Sequence, residues 1–299
     1  MNAQPDVIEE LGDTVPESLP SPTAFVPSPS DGVLGEYALA TGAAAVRRLH
    51  LLHNVYSPAG KRVLLQAGLT PGMRVADFGC GVGAVTRMLA EMVGPSGHVA
   101  GVDVNAAQLV QASKLCASMH FTNVSFLQAD ACATGLPEEW FDLVYCRFLL
   151  LHLPDPVACL REMKRVLRPG GILVVEDGDL ATTGSVPPTA LNAVADLFTR
   201  LGPTRGLNYS LGRDLYHLVK AAGFPDPEIE IHQPAIRRGE DRLLPKWSVE
   251  EAAPAFISAG LITPDELEQT LAAMQAAIDD ADVLILAPLM SQVWARKSL

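Results

Sequence analysis

Positive charge is scarce in this sequence. It carries 22 Lys and Arg against 34 Asp and Glu, a formal net charge of -12. A chain that coats nucleic acid needs a basic face for the phosphates, so that class is excluded. Long apolar runs are missing too. The longest candidate, Val283 to Met290, falls far short of the roughly 18 residues that span a bilayer. No Lys or Arg occurs before Arg47, which leaves no basic n-region for a secretory signal. Cysteine is limited to Cys80, Cys116, Cys132, Cys146 and Cys159, and no two are spaced C-x-x-C. That pattern predicts free thiols in a reducing cytoplasm, without a disulfide framework or a zinc site.

What is present suffices for a sizeable core. Hydrophobic residues make up 48% and charged residues 19%, a globular balance. Residues 1–35 differ, with Pro5, Pro16, Pro20, Pro22, Pro27 and Pro29, several serines and only acidic charge. Such a segment cannot bury enough apolar surface to offset its ordering entropy and is expected to be a flexible tail. From Tyr37 to Gln66 the spacing predicts helix, broken at Ser57-Pro58.

From Met73 onward, strands and helices alternate. Met73–Phe78, His98–Val104, Val124–Ala129, Phe141–Cys146 and Ile172–Val175 read as five strands. Their near-continuous apolar runs suit a sheet covered on both faces. Asn105 is placed to cap one intervening helix, and Asp155-Pro156 to open another. Short connections between alternating elements imply a parallel, doubly wound sheet. Beyond Asp177 come helices near 190–201, 213–222 and within 239–282, the last with starts at Ser248 and Thr263. Glu228–His232 and Ser291–Arg296 are candidate further strands. The helical insertions are read as a cover over the sheet's carboxyl edge, not as an independent domain.

The most informative segment is Val75-Ala76-Asp77-Phe78-Gly79-Cys80-Gly81-Val82-Gly83. Here a strand enters a glycine-rich turn that opens a helix, and glycines let a ligand approach the backbone. Asp77 precedes the first glycine by two residues. An anion there repels a pyrophosphate but suits a cationic ligand. Asp103 ends the second strand, 24 residues after Gly79, where a carboxylate can accept both hydroxyls of a ribose. Asp130 ends the third strand and is followed by Ala131. Three acids at three successive strand ends form a pocket rim on the edge where such sheets bind ligands.

The stretch Leu69 to Asp177 resembles a class I S-adenosylmethionine-dependent methyltransferase of the ubiquinone/menaquinone-biosynthesis-like, small-molecule type. Asp77 to Gly83 resembles that family's first motif, Gly101-Val102-Asp103-Val104-Asn105 its second and Leu127-Gln128-Ala129-Asp130-Ala131 its third. Phe141 to Cys146 and Leu151 to Asp155 resemble the fourth and its sequel, and Leu167 to Gly171 the turn before strand five. The resemblance implies an α/β, mostly parallel Rossmann-like sheet and S-adenosylmethionine as cofactor. It puts the cofactor at Tyr37, Asp77, Gly79, Gly81, Asp103, Val104, Gln108, Asp130, Ala131 and Cys146, with Asp103 on the ribose and Asp130 on the adenine amine. Gln108 stands where relatives often have Met. On this reading 36–68 is a helical segment over the cofactor, 69–180 the cofactor-binding core, and 181–299 the helical cover plus closing strands.

The acceptor is expected to be a small molecule, a specialised metabolite methylated at O, N or C. No nucleic acid and no membrane span enter, and a second copy of the chain is at most the macromolecular partner. His152, after strand four, is the candidate general base. Glu176, Asp177, Arg147, Arg205, Tyr209 and His217 are further pocket candidates. His50 and His53, three apart on a helix, lack a third ligand, so no metal is expected. A nicotinamide-dependent oxidoreductase remains a rival because Gly79, Gly81 and Ala84 satisfy the loose G-x-G-x-x-G/A pattern, although Asp77 and the Leu167 turn disfavour it. A protein that binds the cofactor without turnover is the second rival.

Overall fold

The computed structural model describes residues 43–299, with side chains from residue 46. The expected tail over 1–35 and Tyr37 lie outside the described residues. In chain order the main elements begin with α1 (Ala43–Ala67), β1 (Arg74–Phe78), α2 (Ala84–Val93), β2 (His98–Asp103), α3 (Ala106–Ser118), β3 (Val124–Gln128), β4 (Phe141–Arg147), α4 (Pro156–Val166) and β5 (Leu167–Asp179). They continue with β6 (Gly184–Val186), α5 (Ala193–Thr204), α6 (Leu215–Ala221), β7 (Glu228–His232), β8 (Ala235–Ile236), α7 (Leu244–Ser258), α8 (Pro264–Asp279), β9 (Leu284–Leu286) and β10 (Leu289–Arg296).

Seven strands form the central sheet in the order β3-β2-β1-β4-β5-β10-β7. The first five run parallel, and β10 pairs antiparallel with both β5 and β7. Val75, Phe78, Leu143, Val144, Leu173 and Val174 are wholly buried, as strands sandwiched between helices must be. The order of pairing reverses at β1, and such a switch opens a crevice at the strands' carboxyl ends. Caps fix where the helices begin. Asn105 Oδ1 accepts the Gln108 amide at 3.1 Å, and Asp155 Oδ1 accepts that of Ala158 at 3.0 Å.

Four expectations need correction. Helix α1 runs unbroken through Pro58. Pro58 and Asn54 are exposed, so water can serve the carbonyl that the proline leaves without a donor. On the other face Tyr56, Ala59, Val63 and Leu64 are buried, and that burial outweighs the roughly 3 kcal/mol cost of an interior proline. Strand β5 is much longer than Ile172–Val175. Leu167 already pairs with Phe141, Ile172 pairs with Leu143, and the turn between them is a bulge in the ladder. At its far end β10 supplies backbone partners as far as Asp179, so the strand need not stop at Val175. Helix α7 begins at Leu244, not at Ser248. Ser248 Oγ donates back to the Leu244 carbonyl at 2.8 Å, an interior bond and not a cap. The start at Thr263 is as expected, with the Glu266 amide on Thr263 Oγ1 at 3.3 Å and the Thr263 amide on Glu266 Oε2 at 2.8 Å. Finally, the cover is not only helical, because β6, β9 and β8 form a second sheet in that order.

One arginine organises that cover. Arg242 is 6% exposed. Its guanidinium donates to the carbonyls of Arg237 (3.1 Å), Ala277 (3.2 Å), Ile278 (2.8 Å), Asp280 (2.7 Å) and Val283 (2.9 Å). It thereby satisfies the open carbonyls at the end of α8 and ties them to the residues after β8. A single apolar cluster links Ala76 and Val144 of the sheet to Phe198 and Phe256 of the cover. No helix among the described residues is long and apolar enough to cross a membrane.

Candidate active site

The glycine turn after β1 is shaped by what surrounds it. Gly79 has φ +68° and Gly81 φ +53°, a region that side chains with a Cβ rarely enter. A Cβ on Gly79 would also sit 2.9 Å from Leu149 Cδ1. The turn is held from β2. Gly81 N donates to Asp103 Oδ2 at 2.8 Å, and Asn105 N donates to Oδ1 at 2.9 Å. Each oxygen keeps a lone pair for a further donor. Burial raises the Asp103 pKa, against the pull of the Asn105, Gly81 and Val104 amides.

Beside this turn lies a cavity of about 400 Å³. Of the expected cofactor residues, Gly79, Gly81, Asp103, Val104, Gln108, Asp130 and Ala131 line it. Asp130 Oδ1 accepts the Cys132 amide at 2.8 Å, which fixes the bend after β3. Two expected residues are elsewhere. Asp77 is 2% exposed and accepts the Thr86 hydroxyl of α2 at 2.6 Å. Its carboxyl is pushed up to about 7, chiefly by burial, so it braces the turn from behind. Cys146 is wholly buried in the apolar cluster under the cover. Strand alternation turns it away from its neighbours Tyr145 and Arg147.

The other end of the cavity comes from distant segments. Helix α1 contributes Arg48 and Leu52, the turn after β4 contributes Phe148 and His152, and the cover contributes Thr183, Phe198, Tyr209 and Pro288. Phe148 adopts φ +53°, a conformation a bulky residue keeps only when its surroundings enforce it. Its amide donates to the Glu176 carbonyl at 2.9 Å, and its ring stands edge-on to Tyr56 at 5.1 Å. A Cβ on Gly178 would come within 2.6 Å of that ring. The His152 ring meets Tyr209 edge-on at 5.8 Å, and Tyr209 meets Phe198 at 5.3 Å. Burial, then Arg48 and Arg205, lower the His152 pKa to about 3, so the ring is neutral at physiological pH.

Two arginines on the wall differ in their partners. Arg48 Nε pairs with Glu251 Oε2 at 2.8 Å, and both side chains are 5% exposed. Arg147 Nη2 donates to His53 Nδ1 at 3.3 Å. Burial and Arg147 hold His53 at about 3, so its ring stays neutral. Among the described residues, Arg147 Nη1, the Tyr209 hydroxyl and Thr183 Oγ1 are buried without a hydrogen-bond partner, each at a cost of about 1–3 kcal/mol if left so.

The remaining candidates separate clearly. Glu176 accepts from the Tyr145 hydroxyl and the Gln292 amide. Asp177 accepts the Gly178 amide at 2.9 Å and the Leu151 amide at 3.2 Å, so it anchors the turn that carries His152. Arg205 is half-buried off the cavity wall and His217 is exposed. His50 is exposed while His53 is buried, so the two do not face a common ion. Sequence reasoning passed over Arg48, Phe148 and Thr183. Arg48 had a signal, since it is a charged residue in helical register with the apolar Leu52 and Val55. For Thr183 there was none.

A parallel sheet closed by one antiparallel strand, with a glycine turn after β1 clamped by an acid on β2, defines a class. It is that of the class I S-adenosylmethionine-dependent methyltransferases. A family model described as a methyltransferase domain matches residues 69–223, more than half of the chain, and the protein belongs to that family. A demethylmenaquinone methyltransferase of Staphylococcus aureus (strain JH9) is 32% identical over 167 residues, 56% of this chain and 67% of the relative. Among solved structures, a Bacillus halodurans protein matches 80% of this chain and 98% of its own, at 18% identity and a TM-score of 0.56. A Haemonchus contortus phosphoethanolamine N-methyltransferase 2 in complex with S-adenosyl-L-methionine matches 85% and 53%, at 19% identity and a TM-score of 0.52. These two likenesses are of fold.

Proposed function

We propose that this methyltransferase acts on a small molecule with a largely apolar body, a specialised metabolite, seated between the turn after β4 and the cover. The observation that carries the reading is one cavity with two unlike ends. One end is the glycine turn clamped by Asp103, and the other is a mainly apolar chamber walled by Leu52, Phe148, Phe198 and Pro288. The sequence relative whose name specifies demethylmenaquinone supports a small-molecule acceptor.

The residues fit the cofactor. Asp103 retains lone pairs for the ribose hydroxyls after binding two amides, and Asp130 stands at the next strand end for the adenine amine. Gly79 and Gly81 leave the backbone open to close approach, and Val104, Gln108 and Ala131, which line the same cavity, would hold the adenine ring. S-adenosylmethionine supplies a methyl group already activated on a sulfonium. What remains for the protein is to orient the acceptor, exclude water and, where the nucleophile is protonated, receive its proton. His152 borders the chamber, but a ring held at about 3 takes a proton poorly at neutral pH. Its role is that of a neutral wall and hydrogen-bonding group.

Labelled S-adenosylmethionine incubated with a panel of phenols, quinols, amines and carboxylic acids tests the acceptor class. Label in an extractable small molecule is the expected result. Label confined to protein or nucleic acid would overturn the reading.

A further inference from the structure

We propose that the acceptor carries an ionised oxygen, as a phenolate, enolate or carboxylate, and that Arg147 is its partner, with Tyr209 and Thr183 as neighbouring donors. This rests on the reading of the chamber as the acceptor site.

Arg147 is the last residue of β4 and lines the cavity. Among the described residues no carboxylate lies within 4.0 Å of it, whereas Arg48 on the same wall is neutralised by Glu251. The strand-end carboxylates near it have other commitments. Asp77 is held by Thr86, Asp103 by two backbone amides, Glu176 by Tyr145 and Gln292 and Asp177 by Gly178 and Leu151. Among the described residues its one side-chain hydrogen-bond partner is His53, which is neutral and contacts Nη2. Nη1 is buried and has no acceptor among the described residues.

A fixed positive charge at the wall of an apolar chamber discriminates by charge, because a low dielectric strengthens its attraction for an anion and its repulsion of a cation. A guanidinium edge also matches a carboxylate or an aryl oxide in geometry. Tyr209 is 2% and Thr183 4% exposed, and both hydroxyls lack partners among the described residues. The two are close in the fold, since Leu180 N donates to the Tyr209 carbonyl and Thr183 N to the Leu180 carbonyl. Both hydroxyls can donate, and both residues line the same cavity as Arg147, so a second oxygen on the acceptor would find donors there.

A pair of probes of one shape isolates the charge: 1-naphthoate and 1-naphthamide, titrated calorimetrically into the full chain saturated with S-adenosylhomocysteine. Naphthoate is expected to bind at least tenfold more tightly. Arg147→Gln should erase that preference while S-adenosylhomocysteine affinity stays within threefold, and Arg147→Lys should keep part of it. Equal binding of the two probes, or binding of neither, overturns the proposal. So does an equal loss of S-adenosylhomocysteine affinity in Arg147→Gln, which would assign the arginine to the cofactor's own carboxylate. Failure of the wild-type chain to bind S-adenosylhomocysteine would instead sink the donor assignment. The naphthoate preference of the unliganded chain would then still decide the anion site.

Discussion

At its glycine end the cavity is walled by residues between 79 and 131, each at or just beyond the carboxyl end of a parallel strand and held by nearby backbone. At its covered end the wall draws on residues from 48 to 288, and its aromatic side chains meet edge-on between segments far apart in the chain. The first end is a backbone device whose side chains are few and local. The second is a side-chain device that exists only once the chain has folded. The proposed cofactor end can therefore stay fixed while the proposed acceptor chamber is rebuilt by substitutions outside β1 to β3.

The sharpest way to break the comparison is to undo the cover alone. Arg242→Met would strip five carbonyls of their donor. Each buried carbonyl left unpaired costs about 1–3 kcal/mol, and after local relaxation a net loss of about 3–5 kcal/mol is expected. The melting temperature should then fall by roughly 10 °C, while S-adenosylhomocysteine affinity at low temperature should hold. A parallel collapse of that affinity, measured well below the melting point, would show that the two ends are not separable.

The next test lies behind the glycine turn. Asp77 is pushed from 3.8 up to about 7 by burial. Below 3.8 both folded and unfolded chains hold the proton. Between there and 7 only the folded chain keeps it, so stability falls as pH rises and the full cost is felt above 7. Asp77→Asn can still accept from Thr86 but cannot ionise. It should gain up to about 4 kcal/mol over wild type at pH 8 and almost nothing at pH 4, as read from urea unfolding at the two pH values. His53 and His152, both lowered to about 3, act in the opposite sense. Their contribution is whole above 6.5 and is lost as pH falls toward 3. In wild type the two slopes oppose each other, and Asp77→Asn should expose the histidine slope. An equal gain at both pH values would mean that Asp77 is not the group that titrates.

Asp103→Ala sharpens the same contrast from the cofactor side. It removes the candidate ribose acceptor and frees the Gly81 and Asn105 amides. S-adenosylhomocysteine affinity should weaken by about 1.5–3 kcal/mol, the range for hydrogen bonds to a charged group. Naphthoate binding to the chain without cofactor should not change. Calorimetry with both ligands on one preparation decides, and equal losses would merge the two ends into one site.

The glycine end was legible because its signals are local. The spacing of Gly79 and Gly81 and the acids Asp103 and Asp130 at successive strand ends follow from strand length and turn chemistry. Asp77 shows the limit of that reading. Its position at a strand end suggests a ligand, yet Thr86, on the helix that the turn opens, claims its carboxylate. Nothing in the sequence ranks Thr86 above a cofactor. Pro58 misled for a related reason, since local propensity marks a break where tertiary burial of Tyr56 and Val63 keeps the helix whole. Strands β6, β8 and β9 are two or three residues long, too short to show a period, and they exist because they pair with one another. Arg147 was visible only as one charge after a strand. Its proposed role comes from what, among the described residues, does not pair with it, and no sequence pattern carries that information.

The smallest expected effect concerns His152, on the cavity wall beside Tyr209. If this imidazole were the general base, its loss would lower turnover by about 10²–10⁴-fold, and the wild-type rate would fall as pH dropped through the ring's pKa. Burial places that pKa at about 3, with Arg48 and Arg205 adding to the shift. A base so weak contributes little between pH 6 and 8, and an acceptor that enters already ionised has no proton to remove. His152→Asn keeps a polar side chain beside Tyr209. It should lower turnover by less than about tenfold, with a pH profile parallel to wild type over pH 5–8, because the contribution lost is placement and not proton transfer. S-adenosylhomocysteine affinity should not move, since its proposed contacts lie on β1 to β3. A hundredfold loss, together with a wild-type inflection between pH 5 and 7 that vanishes in the variant, would restore His152 as the base. It would also mean that the occupied chamber admits enough water to raise the ring's pKa, and that the acceptor arrives protonated.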